Sequence, residues 1–223
     1  MALELDGLGV INIGEPIVLD QDFSAITLSC WIKHSTGDVS PTDYILGKGS
    51  MWYLMFNNPT ICKFRHLNLG IANTSVTVPA IGTSWHFIVA TYNGSRTNIY
   101  LNGVDYDGNT GLSGGLGTND VNVGIGSYFG DTPFWKGSID EVRIYNRALS
   151  EAEIKILYNS RGQNIITKGL VGYWRMNEKP DGTAASGANS IIDLSGYGNH
   201  GTPEGGPIYR ATPNKIYIPR VIA

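Results

Sequence analysis

Short runs of alternating apolar and polar residues, cut off every 8–14 residues by Gly, Asn, Asp or Pro, recur along almost the whole chain. A period of two sends successive side chains to opposite faces of an extended strand. In WHFIVATY (85–92), Trp85, Phe87, Val89 and Thr91 share one face, and His86, Ile88, Ala90 and Tyr92 share the other. Comparable runs are GVINIG (9–14), AITLSCWIK (25–33), YILGK (44–48), WYLMF (52–56), LNLGIA (67–72), TNIYL (97–101), VNVGIG (121–126) and SIDEVRIY (138–145). Many short strands at this spacing describe an antiparallel β-sandwich. The 29 glycines and the low charged fraction of 16% suit tight turns better than helices.

Two local signals sharpen the reading. Asn102-Gly103 stands between two alternating runs, and a type I′ hairpin turn needs positive φ at both central positions. In SEAEIKILYN (150–159), Ser150 and Glu153 fit a capping box, and Ile154, Leu157 and Tyr158 make one apolar stripe. The spacing predicts one short helix lying against the sandwich.

Charge excludes some partners. The chain carries a net charge of −3 and no run of Lys or Arg, so neither nucleic acid nor an anionic membrane surface is an expected partner. No apolar stretch approaches the roughly 18 residues that membrane insertion requires. The N-terminal MALELDGLGVINIG lacks the basic and long apolar regions of a secretory signal. A trimmed precursor and a protein folded in the cytoplasm where it is made both fit that start. Cys30 and Cys62 are expected to be buried free thiols rather than a disulfide.

The C-terminal stretch GLVGYWRMNEKPDGTAASGANSIIDLSGYGNHGT (169–202) looks like the beginning of a domain: a strand with a Trp, a loop, then a Gly/Asn-rich turn. KIYIPRVIA (215–223) reads as a last strand, limited by Pro219 to an edge.

Together LELDG (3–7), FSAITLSCWIK (23–33), YILGKG (44–49), WHFIVATYNG (85–94), IYLNGV (99–104) and above all WKGSIDEVRIYNRALSEAEIKILYN (135–159) resemble the laminin-G-like, concanavalin A-like jelly-roll family. The type meant is the one common in bacterial secreted proteins and phage particles. The resemblance covers residues 3–159 in the usual order and implies an all-β antiparallel jelly roll with one helix near 150–159. GLVGYW…DLSGYGNHGT resembles the family's first-strand segment, which usually precedes LDG, so residues 169–218 are displaced to the far end of a single domain spanning 1–223. Three origins stay open: intrachain completion by circular permutation, strand exchange between subunits of a homo-oligomer, or the stub of a second repeat. An unpaired LVGYWRM strand and a sandwich missing its first strand would each expose an edge, which favours pairing.

For chemistry, the fold also houses glycoside hydrolases, which need two opposed carboxylates. Here the candidates reduce to Glu4 and Asp6 on one face and the neighbours Asp140 and Glu141. No Ser/His/Asp set and no metal-ligand spacing among His34, His66, His86 and His200 accompanies them, so no catalytic residue is assigned. The resemblance implies a structural calcium ion shared by the DLSGYGNHG turn and the IDEV strand, with Asp140, Asp193 and Asn199 as ligands. The other reading is that Asp193 and Asn199 brace the turn through side-chain-to-backbone hydrogen bonds. Among loop-side aromatics, Trp52, Tyr53 and Tyr128 are the candidate ligand-binding platform, while Phe134 and Trp135 read as core.

The leading functional reading is a non-enzymatic binding and structural protein displayed on a phage particle, on the capsid or the tail, engaging a surface or a glycan. The alternative is an extracellular carbohydrate-binding or adhesion module of a secreted bacterial protein. A glycoside hydrolase is the minor one.

Overall fold

The computed structural model describes residues 1–36, 43–66, 72–128 and 134–212. Its strands begin with β1 (Ala2–Asp6), β2 (Val10–Gly14), β3 (Ile26–His34), β4 (Asp43–Lys48) and β5 (Trp52–Asn58). Next come β6 (Ile61–His66), β7 (Ala72–Thr77), β8 (His86–Tyr92), β9 (Thr97–Leu101) and β10 (Val104–Asp105). The chain continues through β11 (Val123–Ile125), β12 (Lys136–Tyr145), helix α1 (Glu151–Ser160), β13 (Leu170–Trp174), β14 (Thr202–Glu204) and β15 (Ile208–Arg210). An eight-stranded sheet has the order β10-β9-β8-β3-β12-β1-β15, with β13 also paired to β12. A seven-stranded sheet has the order β14-β2-β11-β4-β5-β6-β7. Among the described residues every pair of these strands is antiparallel, so the expected sandwich is the one observed.

Alternation explains how the layers stack. On β3, Ile26, Leu28, Cys30 and Ile32 enter the core between the sheets, and Trp31 points the other way. On β8, Ile88, Ala90 and Tyr92 enter the same core, while Phe87 and Val89 face outward with Trp31. Both thiols are free and buried in that core, and burial raises their pKa, keeping them protonated and inert. β12 changes phase midway. Its pairing with β3 shifts between Asp140 and Arg143, and Glu141 has φ +53°, a bulge that lets Ile139, Val142 and Ile144 all face inward.

α1 forms where its cap predicts. The Ser150 hydroxyl accepts from the Glu153 N–H, and the Glu153 carboxylate accepts from the Ser150 N–H. Its apolar side, Ile154 and Leu157, covers Trp31, Phe87, Val89, Tyr100 and Tyr145 on the outer face of the eight-stranded sheet. Tyr158 stacks on Trp31 at 5.8 Å. The β9–β10 hairpin turns through Asn102 (φ +53°) and Gly103 (φ +77°), as its sequence requires.

The C-terminal segment pairs within its own chain. At the bulge, β1 leaves the edge of β12 after pairing with Lys136–Ile139, and β13 takes that edge along Val142–Tyr145. β15 then pairs with β1, and β14 extends the other sheet beside β2. Val171, Trp174 and Met176 fill the main core, and Leu170 and Tyr173 join the cluster beneath α1. Residues 213–223, including the expected strand KIYIPRVIA, lie outside the described residues, as does most of LNLGIA.

A buried ionic network locks this segment. Arg143 is fully buried, and its Nη2 donates to Glu141 Oε2 at 2.7 Å and to the Tyr173 hydroxyl at 3.0 Å. The same hydroxyl donates to Glu141 Oε2 at 2.6 Å, and the guanidinium lies 4.3 Å over the Tyr173 ring. Two charges are thus placed where water cannot reach them, and their geometry has to satisfy them.

Candidate functional site

The outer face of the eight-stranded sheet is taken by α1. That of the seven-stranded sheet carries the candidate site. On β4, β5 and β6, Leu46, Trp52, Leu54, Phe56, Cys62 and Phe64 point into the core. The intervening positions Gly47, Tyr53, Met55, Lys63 and Arg65 therefore fall on the opposite face. Register aligns Gly47, Tyr53 and Arg65 in one row and Tyr44, Met55 and Lys63 in the next.

Three tyrosines gather there. Tyr44 and Tyr128 lie 4.3 Å apart with planes inclined by 33°. Tyr53 meets Tyr44 edge-on at 5.1 Å and Tyr128 at 5.7 Å. Gly47 makes the approach possible: a Cβ there would fall 2.7 Å from Tyr53 Cβ and 2.8 Å from Tyr128 Cβ. The Gly49 N–H donates to the Tyr128 carbonyl at 2.6 Å and ties that residue to the end of β4. Arg65 lies 5.8 Å over the Tyr53 ring, and its Nη1 donates to the Tyr53 hydroxyl at 3.0 Å. Burial, reinforced by Tyr53 and Tyr128, pushes the Tyr44 phenol up to about 12, so it keeps its proton at neutral pH. Tyr53 is buried, whereas Tyr44, Tyr128, Lys63 and Arg65 stay half-exposed. Chemically the face offers flat rings for stacking, hydroxyl groups that donate and accept, and two cations.

Of the three aromatics marked in the sequence, the structure unites Tyr53 and Tyr128. Trp52 is a correction: it is 1% exposed and packs in the core, because it alternates in phase with Leu54 and Phe56. Tyr44 and Arg65 were missed: alternation in ICKFRH sets Arg65 opposite Cys62 and Phe64, but in YILGK it would put Tyr44 on the face of Leu46, and only the register shift between those two residues turns Tyr44 to the platform. Trp135 is buried, as expected, and Phe134 is half-buried.

Asp193 and Asn199, two of the three expected calcium ligands, are tightly engaged. Asp193 Oδ1 accepts from the N–H groups of Tyr173 and Ser195, each at 2.9 Å. Its Oδ2 accepts from the Ser195 hydroxyl at 2.7 Å and the Asn199 N–H at 2.9 Å. The Asn199 amide donates to the Val171 carbonyl, and the Asn199 carbonyl accepts from Trp174 Nε1, both at 2.8 Å. Asp140 sits on β12, where its Oδ1 accepts the Glu141 N–H. Four donors fill the lone pairs of Asp193, so the turn is braced without an ion. Among the described residues, no group of three or more His, Cys, Asp or Glu is placed to hold a metal. The other two candidate acids are also engaged: Glu4 pairs with Arg210 at 2.5 Å, and Asp6 accepts the Leu8 N–H at 2.9 Å.

Comparison with known proteins places this geometry. A candidate carbohydrate-binding protein from Bacteroides ovatus ATCC 8483 superposes with a TM-score of 0.72 at 21% identity, over 95% of this chain and 60% of its own length. The chain thus spans under two thirds of that relative. Domain 4 of AbnA, an extracellular arabinanase of Geobacillus stearothermophilus solved with arabinotriose, superposes at 0.54 with 20% identity, over 70% of this chain and 76% of that one. A heptameric pentraxin from Limulus polyphemus gives 0.56 at 13% identity, over 72% and 82%. At such identities the likeness is one of fold. No curated protein matches the chain by sequence. The Laminin_G_3 family profile, however, matches residues 9–155, well over half of the chain. By that match the chain belongs to the concanavalin A-like lectin/glucanases superfamily, in its Laminin_G_3 family.

Proposed function

We propose that the chain is a non-catalytic carbohydrate-binding module whose sugar platform is the outer face of β4, β5 and β6. The observation that carries the reading is the convergence of Tyr44, Tyr53 and Tyr128 over Gly47, with Arg65 alongside. Stacked or inclined rings beside a few polar groups are what a sugar site needs, since a sugar ring has an apolar face and a polar rim. The named properties of two relatives, carbohydrate binding in one and a bound arabinotriose in the other, support this reading over display on a phage particle. Work outside the cell, on polysaccharide, follows from the same reading. Among the described residues, no helix is long and apolar enough to cross a membrane.

A glycan array followed by titration calorimetry tests it. Wild type is expected to bind at least one polysaccharide class, and Tyr44→Ala to weaken that binding roughly tenfold while unfolding at nearly the same temperature. Binding left intact by both Tyr44→Ala and Tyr128→Ala would place the site elsewhere.

A further inference from the structure

The charges on the proposed platform are one-sided. β4 to β7 contain a single carboxylate, Asp43, which is buried and paired with His34 at 3.1 Å, at a position that faces Phe56 in register and not the platform. Lys48 is also spent: its ammonium donates to the Asn119 carbonyl at 2.6 Å and the Val121 carbonyl at 2.9 Å and pairs with Asp20 at 3.1 Å. Lys63 and Arg65 remain. Among the described residues neither has an acidic partner, and the hydrogen bond from Arg65 goes to the neutral Tyr53 hydroxyl. Arg65 Nε is buried without a hydrogen-bond partner, an unmet donor inside the cluster. On a chain with a net charge of −3, this is a cationic strip laid beside aromatic rings.

We propose that this face recognises acidic sugars, namely hexuronic acid residues of a polyuronate. The sugar ring lies against Tyr44 and Tyr128, and its carboxylate is taken by Arg65 with Lys63 beside it. A guanidinium accepts a carboxylate through parallel N–H donors, and an acceptor arriving here meets cations that no protein carboxylate already neutralises. The Tyr44 phenol, raised by burial, keeps its proton and so does not compete for the charge. The inference rests on the carbohydrate-binding reading and adds the class of sugar.

Affinity electrophoresis and calorimetry of the full chain test it with four probes: polygalacturonate, the same polymer after carboxyl reduction, neutral arabinan and dextran sulfate. The expected result is binding to polygalacturonate, with loss on carboxyl reduction and little retention by dextran sulfate. Arg65→Ala should weaken binding roughly tenfold or more, the range of a hydrogen bond to a charged group, and Arg65→Lys should restore part of it. Should Arg65→Ala fold poorly, Lys63→Ala and the reduced polymer on wild type carry the same comparison. Equal binding to the reduced polymer or to arabinan, lost in Tyr44→Ala but not in Arg65→Ala, keeps the sugar platform and overturns the acidic specificity. Equal retention by dextran sulfate reduces the effect to polyanion adsorption and also overturns it. Failure to bind any of the four overturns this inference, and a blank wider array overturns the carbohydrate reading beneath it.

Discussion

The two sheets of this sandwich meet the same core with opposite outer faces. The eight-stranded sheet is apolar on both sides: Trp31, Phe87, Val89, Tyr100 and Tyr145 lie beneath α1, Leu149, Leu170 and Tyr173. The seven-stranded sheet turns Gly47, Tyr53, Lys63 and Arg65 outward, opposite Leu46, Leu54 and Phe64. Covering one face with a helix contributes stability and removes that face from recognition. The other sheet, which no helix covers among the described residues, can hold side chains selected for what they touch. The difference predicts that substitutions beneath the helix act on folding and that substitutions on the platform act on binding.

The comparison breaks first if the covered side does not depend on the C-terminal segment. A fragment of residues 1–168 loses β13, β14 and β15, and with them Trp174 from the core and Tyr173 from the cluster under α1. It is expected to lack a cooperative unfolding transition, by near-ultraviolet circular dichroism on heating. A soluble 1–168 fragment with a sharp melt would mean that the segment is a separable appendage.

Next in size is the ion pair that the segment closes over. Glu141→Ala leaves the Arg143 guanidinium buried with its charge uncompensated, which costs about 3–5 kcal/mol. Urea denaturation measures it. A loss below about 1 kcal/mol would show that Arg143 moves out to water, and the covered side would then be looser than described. No comparable loss is expected for Lys63→Ala, a half-exposed residue on the open face.

The fastening of α1 gives a pH signature. Arg147 holds the Glu153 carboxyl down at about 2, with help from the N–H and hydroxyl of Ser150, against an ordinary value near 4.5. A carboxylate with a depressed folded-state pKa contributes stability above its unfolded value. That contribution is lost as pH falls from about 4.5 to about 2. Glu153→Gln should therefore melt lower at pH 7 and lose less on acidification to pH 2.5. Parallel curves for the two proteins would assign acid sensitivity to other groups.

Much of this contrast was legible in the sequence. Alternation found most strands, Asn102-Gly103 found its hairpin, and Ser150 with Glu153 found the helix start, because each depends on neighbours in the chain. Trp52 was misplaced for a physical reason: alternation says that Trp52 and Tyr53 face opposite ways, but not which face meets the other sheet. The packing of this sheet against the other settles it, and that packing is a long-range fact. Ile139 and Val142 both face the core because of the bulge at Glu141, with its positive φ, and period-two reasoning does not see bulges. The Tyr44–Tyr53–Tyr128 cluster joins three separate stretches of chain through one missing Cβ at Gly47, which no local pattern announces.

The smallest expected effect belongs to calcium. At the edge where β13 meets the DLSGYGNHG turn, Asp193 already accepts two donors on each oxygen. An ion entering here would have to displace N–H groups of Tyr173 and Asn199, and a buried N–H without an acceptor costs about 1–3 kcal/mol. The ordinary cost of dehydrating Ca²⁺ would come on top, with Asp193 as the one carboxylate that the turn itself supplies. Scanning calorimetry in millimolar CaCl₂ and in EDTA should therefore give the same melting temperature. Ligand linkage makes the measurement decisive, because any ion bound only by the folded chain raises the melting temperature with its concentration. A rise of several degrees in CaCl₂ would mean that the brace opens to admit the ion. The turn would then be a metal site fastening the C-terminal segment, and the covered side of the sandwich would owe part of its stability to calcium.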